Sequence, residues 1–190
     1  MKMRGHKYME GKMELFDTFA QNLESVNGTC YKVSKNDLAE TVAKIYKDNA
    51  IASTCMLETD LAKEIGLSDC LKANGITVHT DHIRLNSETD KGGITEVAYG
   101  IAELGSVIQA SDNVDTRLMA IMPDYYIGIV KGSTIVKTYD DMFDVLAELK
   151  PFPKYVGFIT GPSRTADIEC VGTVGVHGPL QMSIIIVTDL

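Results

Sequence analysis

Cys30-Tyr31-Lys32-Val33, then Ser34-Lys35-Asn36-Asp37, then Leu38 to Asp48 read in succession as a strand, a helix start and an amphipathic helix. The four strand residues are bounded by Gly28 on one side and Ser34 on the other. Leu38, Val42, Ile45 and Tyr46 fall on one face at helical spacing. Ser34-Lys35-Asn36-Asp37 is expected as a capping box, because a serine oxygen accepts one of the unpaired N–H groups of a first helical turn. Ala50 to Thr54 follows as a buried strand, so the stretch is one complete βαβ unit.

The same alternation continues on either side. Upstream, Met13, Phe16, Ala20, Leu23 and Val26 mark a helix over Lys12 to Asn27, which Gly28 ends. Residues 1–12 are expected to be a charged tail without the apolar stretch of a secretion signal. Downstream the pattern predicts a helix over Glu58 to Ile65 and a strand from Ile76 to Val78. A further helix is predicted from Thr95 to Leu104, stopped by Gly105, then strands at Ser106–Gln109, Tyr125–Val130 and Thr134–Lys137. The helix Asp140–Leu149 is closed by Pro151 and Pro153, and strands follow at Tyr155–Ile159 and Ser183–Val187. Strands separated by helices imply an α/β fold with a mostly parallel sheet and helices on both faces. The expected organisation is a tail and helix over residues 1–30 and one α/β domain over 31–190.

Composition narrows the function. A net charge of −8 with no cluster of Lys and Arg beyond the N-terminal tail argues against nucleic-acid binding. No apolar run approaches the roughly 20 residues of a membrane span, so a cytoplasmic protein is expected. Cys30, Cys55, Cys70 and Cys170 form no C-x-x-C pair, and no iron–sulfur cluster is expected in this chain. Any other cofactor is left undetermined. No Walker loop and no Gly-x-Gly-x-x-Gly after a strand support a nucleotide site.

Three segments carry chemistry. Thr160-Gly161-Pro162-Ser163-Arg164-Thr165-Ala166-Asp167-Ile168-Glu169 follows an apolar strand and is expected at a strand's C-terminal edge. Its glycine admits a close ligand, its hydroxyls donate, and Arg164 offers a fork for carboxylate or phosphate. A tight turn with Ser163 or Thr165 capping a short helix explains the same residues. Gly175-Val176-His177-Gly178-Pro179 presents an imidazole beside glycines, suited to proton transfer. In Gly100-Ile101-Ala102-Glu103-Leu104-Gly105-Ser106, Glu103 falls at a helix C-terminus, a poor place for a carboxylate unless Arg117 or a ligand hydroxyl pairs with it. Two other patterns weigh less. Ser163, His177 and Asp167 lack the G-x-S-x-G turn of a nucleophile, and on a strand His79 and Asp81 share a face from which His82 points away, so no metal site is expected.

Thr160 to Glu169 and Gly175 to Pro179 together resemble the C-terminal signature of LUD-domain proteins of the lactate-utilisation protein C type. Gly100 to Ser106 and Arg117 to Pro123 resemble the central motif of that family, with Leu104 where the family usually has threonine. The resemblance spans about residues 50–190. It implies a fold like that of the ribose-5-phosphate isomerase, glucosamine-phosphate deaminase and CoA-transferase group. It also implies partners, one an iron–sulfur protein, that together oxidise L-lactate to pyruvate. The candidate catalytic set is Glu103, Asp167 and His177. The candidate ligand-binding set is Ser106, Arg117, Thr160, Gly161, Pro162, Ser163, Arg164, Thr165 and Gly178, around a small anionic ligand. A non-catalytic assembly subunit and an independent sugar-phosphate or acyl-CoA enzyme are the alternatives. A homodimer is left open.

Overall fold

Six strands run parallel in the main sheet of the computed structural model, which describes residues 2–165, 173–174 and 177–190. In chain order the elements are α1 (Lys2–Ser25), β1 (Thr29–Val33), α2 (Leu38–Asp48), β2 (Ser53–Met56), α3 (Asp60–Glu64), α4 (Leu67–Ala73), β3 (Thr77–His79) and α5 (Ile83–Asn86). Then come β4 (Gly92–Glu96), β5 (Tyr99–Ile101), β6 (Ser106–Ala110), α6 (Val114–Ile121), β7 (Tyr125–Lys131), β8 (Ile135–Val136) and α7 (Tyr139–Glu148). The chain finishes with β9 (Val156–Ile159), β10 (Arg164–Thr165), β11 (Thr173–Val174) and β12 (Gln181–Val187). The main sheet has the order β1-β12-β7-β4-β2-β3, and a smaller sheet the order β8-β5-β6-β9.

Alternation along the central strands sorts their side chains onto two faces. Ile127, Ile129, Ile185 and Val187 meet Leu38, Val42, Tyr46, Leu67 and Leu71 from α2 and α4. On the opposite face, Tyr126, Val130, Ile184 and Ile186 meet Phe16, Phe19 and Leu23 of α1, with Val107 and Ile135 of the small sheet. Expected as an appendage, α1 thus supplies three core side chains, and it is helical from Lys2 where a tail was expected. The far side of the small sheet is closed by Met142 and Leu146 of α7 against Ile101 and Ile108.

Two expectations are corrected. Residues 95–104 are not a helix: β4 continues to Glu96 and β5 takes Tyr99–Ile101, paired with β7 and β6 respectively. The β-branched and aromatic residues Thr95, Val97, Tyr99 and Ile101 fit a pleated surface, and sheet partners outweighed the helical spacing. Ser34 makes no cap bond to the α2 backbone; its hydroxyl donates to Asp37 Oδ2 at 2.6 Å within a 3-10 turn, Lys35–Asp37, that precedes the helix. The periodicity also passed over α4, α5 and α6, which are short.

The path through the sheet fixes where a ligand can sit. From β2 the chain steps outward to β3 at the edge, returns to β4, and then moves the other way through β7 and β12. The packing puts α3 and α4 on one face, while Ile83 of α5 packs with Cys55 and Met119 on the other. The direction of winding therefore reverses between β2 and β4, the place where open α/β sheets leave a crevice beyond the strand C-termini.

Gly105 holds α1 against the small sheet. Its φ is +60°, and a Cβ there would lie 2.2 Å from the backbone nitrogen of Leu23. Gly105→Ala is expected to cost at least about 2 kcal/mol, lowering the melting midpoint by roughly 4–8 °C. Gly11→Ala, where no atom lies within 4 Å, should raise it slightly. Differential scanning calorimetry of the two variants checks both signs.

Burial pushes the thiols of Cys30 and Cys55 up to about 12 and raises the Tyr46 and Tyr126 phenols. All four groups stay protonated in the folded chain at pH values where the unfolded chain has begun to ionise. The thiols' contribution is fully present below about pH 9 and is lost as pH rises toward about 12, and the phenols' begins to fall only above about pH 10. Urea midpoints taken from pH 8 to 10.5 should fall steadily, and a flat profile would contradict the burial.

Candidate functional site

A partly open cavity of about 160 Å³ lies at the reversal point, between the C-terminal ends of β2 and β4. Met56, Leu57, Ile94, Met119 and Ile129 give it apolar walls, and Thr59, Thr95, Glu96, Gln109, Ser111 and Thr116 add polar groups. The apolar share follows from the sheet, because these strand ends are the edge of the core. The polar groups come from strand ends and from the turns that start α3 and α6.

Two of the polar arrangements have a defined direction. Thr59 is the N-cap of α3, its oxygen accepting the Ala62 N–H at 3.2 Å while its own O–H donates to Glu96 Oε1. The other runs through the core. Tyr126 is fully buried, and desolvation holds its phenol protonated. Its hydroxyl lies 2.7 Å from Thr95 Oγ1, which lies 3.0 Å from Gln109 Oε1. Since Gln109 Oε1 can only accept, Thr95 donates to it and Tyr126 donates to Thr95. That order leaves both N–H groups of Gln109 Nε2 without a protein partner among the described residues. The residue as a whole is 3% exposed, and Nε2 is not one of the fully buried unpartnered atoms, so it opens to the cavity it lines.

None of the residues singled out from the sequence lines this cavity. Glu103 lies in the turn between β5 and β6, where its carboxylate accepts the Tyr139 N–H at 2.8 Å. Tyr139 opens α7, so the expected helix C-terminus is replaced by a helix N-terminus, where the backbone dipole favours a negative charge. Asn22 of α1 ties down the same turn by donating to the carbonyls of Ala102 at 2.9 Å and Glu103 at 3.0 Å. Ser106 and Thr160 share a hydrogen bond of 2.6 Å across β6 and β9. Gly161, at φ +71°, brings the chain against α1: a Cβ would be 2.5 Å from the Val26 carbonyl.

Beyond Gly161 the two signature loops do meet. Pro162 is buried, Ser163 N–H donates to the Pro179 carbonyl at 3.0 Å, and the His177 N–H donates to Ser163 Oγ at 3.4 Å. Gly178 packs on Ser163, where a Cβ would lie 3.1 Å from that of the serine. Arg164 is exposed, and it and Thr165 pair with Val174 and Thr173 in a short antiparallel ladder. Asp167 lies outside the described residues. Arg117 stands apart on α6, its guanidinium 4.8 Å above the Tyr155 ring and its Nε buried without a hydrogen bond.

The edge of the sheet is corrected. The Gly161 loop follows β9 of the small sheet and returns to the main sheet where β12 begins, with Leu180 and Gln181 donating to the Asp124 carbonyl just ahead of β7. It therefore lies at the N-terminal ends of the parallel strands, opposite the cavity. A sequence locates the strand that precedes a loop; it does not tell which of two sheets owns that strand.

The family model of the LUD domain matches residues 16–187. The chain belongs to the LUD domain family. Lactate utilization protein C 1 of Bacillus mycoides is 30% identical, the match covering 93% of this chain and 80% of that one. Lactate utilization protein C of Anoxybacillus flavithermus is 28% identical, over 93% of this chain and 81% of that one. In fold, the chain is similar to a crystal structure of a DUF162 family protein from Deinococcus radiodurans, with a TM-score of 0.65 at 19% identity, covering 92% of this chain and 97% of that one. Within this LUD domain the polar residues that sequence inspection missed, Thr59, Thr95, Glu96 and Gln109, carried one signal. They are hydroxyl, acid or amide groups set in or beside apolar strands, and the helix expected at 95–104 hid two of them.

The hydrogen bond from Tyr139 to Glu103 makes a separable prediction. Glu103→Ala should lower stability by about 1 kcal/mol, as loss of a helix cap does, and Glu103→Gln, which keeps an acceptor, by less. Equal midpoints for wild type and Glu103→Ala would release Glu103 from this structural duty.

Proposed function

We propose that this chain serves bacterial L-lactate utilisation in the cytoplasm, beside iron–sulfur partner proteins that oxidise L-lactate to pyruvate. The observation that carries the proposal is similarity to proteins named lactate utilization protein C across 93% of the chain. Among the described residues, no helix is long and apolar enough to cross a membrane.

The signature loops supply the proposed anion site. Arg164 or Arg117 holds a carboxylate or phosphate; Ser163 and Thr165 donate hydrogen bonds; His177 moves a proton, with Glu103 and Asp167 completing the catalytic set. Supporting this is the convergence of Ser163, His177 and Gly178 from separate stretches of chain. A second role as an assembly subunit draws on the mutually packed aromatic rings of Tyr139, Phe143 and Phe158, each 40–47% exposed.

Deleting the gene should abolish growth on L-lactate while sparing growth on glucose. Restoring it as Ser163→Ala/His177→Ala should leave the defect in place if the loop site works, and Phe143→Asp should strip partners from the purified protein if the aromatic face assembles them. Normal growth of the deletion strain on L-lactate would sink the pathway assignment.

A further inference from the structure

The cavity between β2 and β4 presents a paired chemistry that the pathway proposal does not use. One polar group is an acceptor: Glu96, whose Oε1 is engaged by Thr59 and whose second oxygen has no protein donor among the described residues. The other is a donor: the Gln109 Nε2 amide, oriented by the chain from Tyr126 through Thr95 and left unpartnered on a side chain 97% removed from solvent. Gln109 Nε2 is not among the fully buried unpartnered atoms, so on a residue otherwise removed from solvent its donors open into the cavity, where a bound group can take their hydrogen bonds in place of water. No Lys, Arg or His lines the cavity among the described residues.

We propose that this cavity is a binding site for a compact uncharged molecule whose polar group both donates and accepts hydrogen bonds, an alcohol or a primary amide, with an apolar remainder against Met56, Ile94 and Met119. Such a group gives its hydrogen to Glu96 and takes one from Gln109. A free carboxylate satisfies Gln109 but stands beside Glu96 with no cation to offset the repulsion. An ammonium satisfies Glu96 and leaves the Gln109 donors bare. Size sets a further limit. A cavity near 150 Å³ takes about six heavy atoms, so a larger ligand would have to leave most of its atoms outside the partly open mouth. The site thus rejects L-lactate and pyruvate themselves, and it stands whether or not the chain serves lactate utilisation.

L-lactamide and L-lactate make the decisive pair of probes, since they share shape and hydroxyl and differ in charge. Each is titrated into the full-length ¹⁵N-labelled protein, reading the Gln109 side-chain amide and the Thr95 backbone amide. The expected result is a saturable shift with L-lactamide, at a Kd at least tenfold below that of L-lactate. Propane-1,2-diol, which lacks the amide, then tells which uncharged group is preferred. In Glu96→Gln, nearly unchanged in shape, the preference for L-lactamide over L-lactate should shrink at least fivefold. L-lactate binding as tightly as L-lactamide, a preference unchanged in Glu96→Gln, or no shift at Gln109 with either probe would each overturn the proposal. Should Glu96→Gln fail to fold, the wild-type titrations decide it alone.

Discussion

The two central strands, β7 and β12, are buried on both faces, and a parallel sheet buried in this way must be covered twice. Each of their Ile and Val side chains contributes about 1.5–3 kcal/mol when removed from water, but only if apolar partners arrive on both sides. One cover is made by α2 and α4. The other is composite, α1 laid beside a second small sheet. That composite cover explains features that otherwise look unrelated: Gly105 with its left-handed backbone, the Asn22 clamp on the turn at Ala102 and Glu103, and Gly161 pressed on Val26. Each is a place where α1 and the small sheet touch so closely that a side chain or an unpaired carbonyl is not tolerated.

Buried strands also carry polar atoms, and how these are satisfied distinguishes structure from site. Tyr46 and Thr54 pair at 2.9 Å, and Tyr125 and Ser183 at 2.7 Å. The first pair sits within the core, and the second is reached at 3.5 Å by the half-buried Asn49 amide, so neither opens on a cavity. The chain from Tyr126 to Thr95 to Gln109 begins in the same way but ends on an amide that faces a cavity. A polar network that closes on itself fixes register; one that stops short at a cavity presents a donor in a set direction.

Much of this was legible in the sequence. The βαβ unit from Cys30 to Thr54, the helices near 12–27 and 140–149 and the closing strand at Ser183–Val187 follow from apolar spacing and reappear with small shifts in their ends. So does the family, because the Gly161 and His177 loops are short, ordered strings of uncommon residues. The segment from Thr95 to Gly105 was not legible, since its fate rests on pairing with β7 and β6, partners far along the chain. The cavity was hidden for the same reason. Thr59, Glu96 and Gln109 are brought together by strand order, which local patterning does not encode. Glu103, conspicuous in its motif, was misplaced because the helix it neighbours is α7, some 36 residues downstream.

The two ends of the sheet have opposite chemistry, and the charge distribution keeps them apart. At the N-terminal ends of the strands lie an exposed Arg164 and the Ser163 and His177 loops, where the anion site is proposed. At the C-terminal ends, a carboxylate and a buried amide line a small apolar hollow with no cation among the described residues. The two proposed sites therefore call for different ligands, a charged acid at one end and an uncharged alcohol or amide at the other. α6 is the element that reaches both. Thr116 and Met119 line the hollow, and Ile121 at its far end lies beside Gly178 of the signature loop.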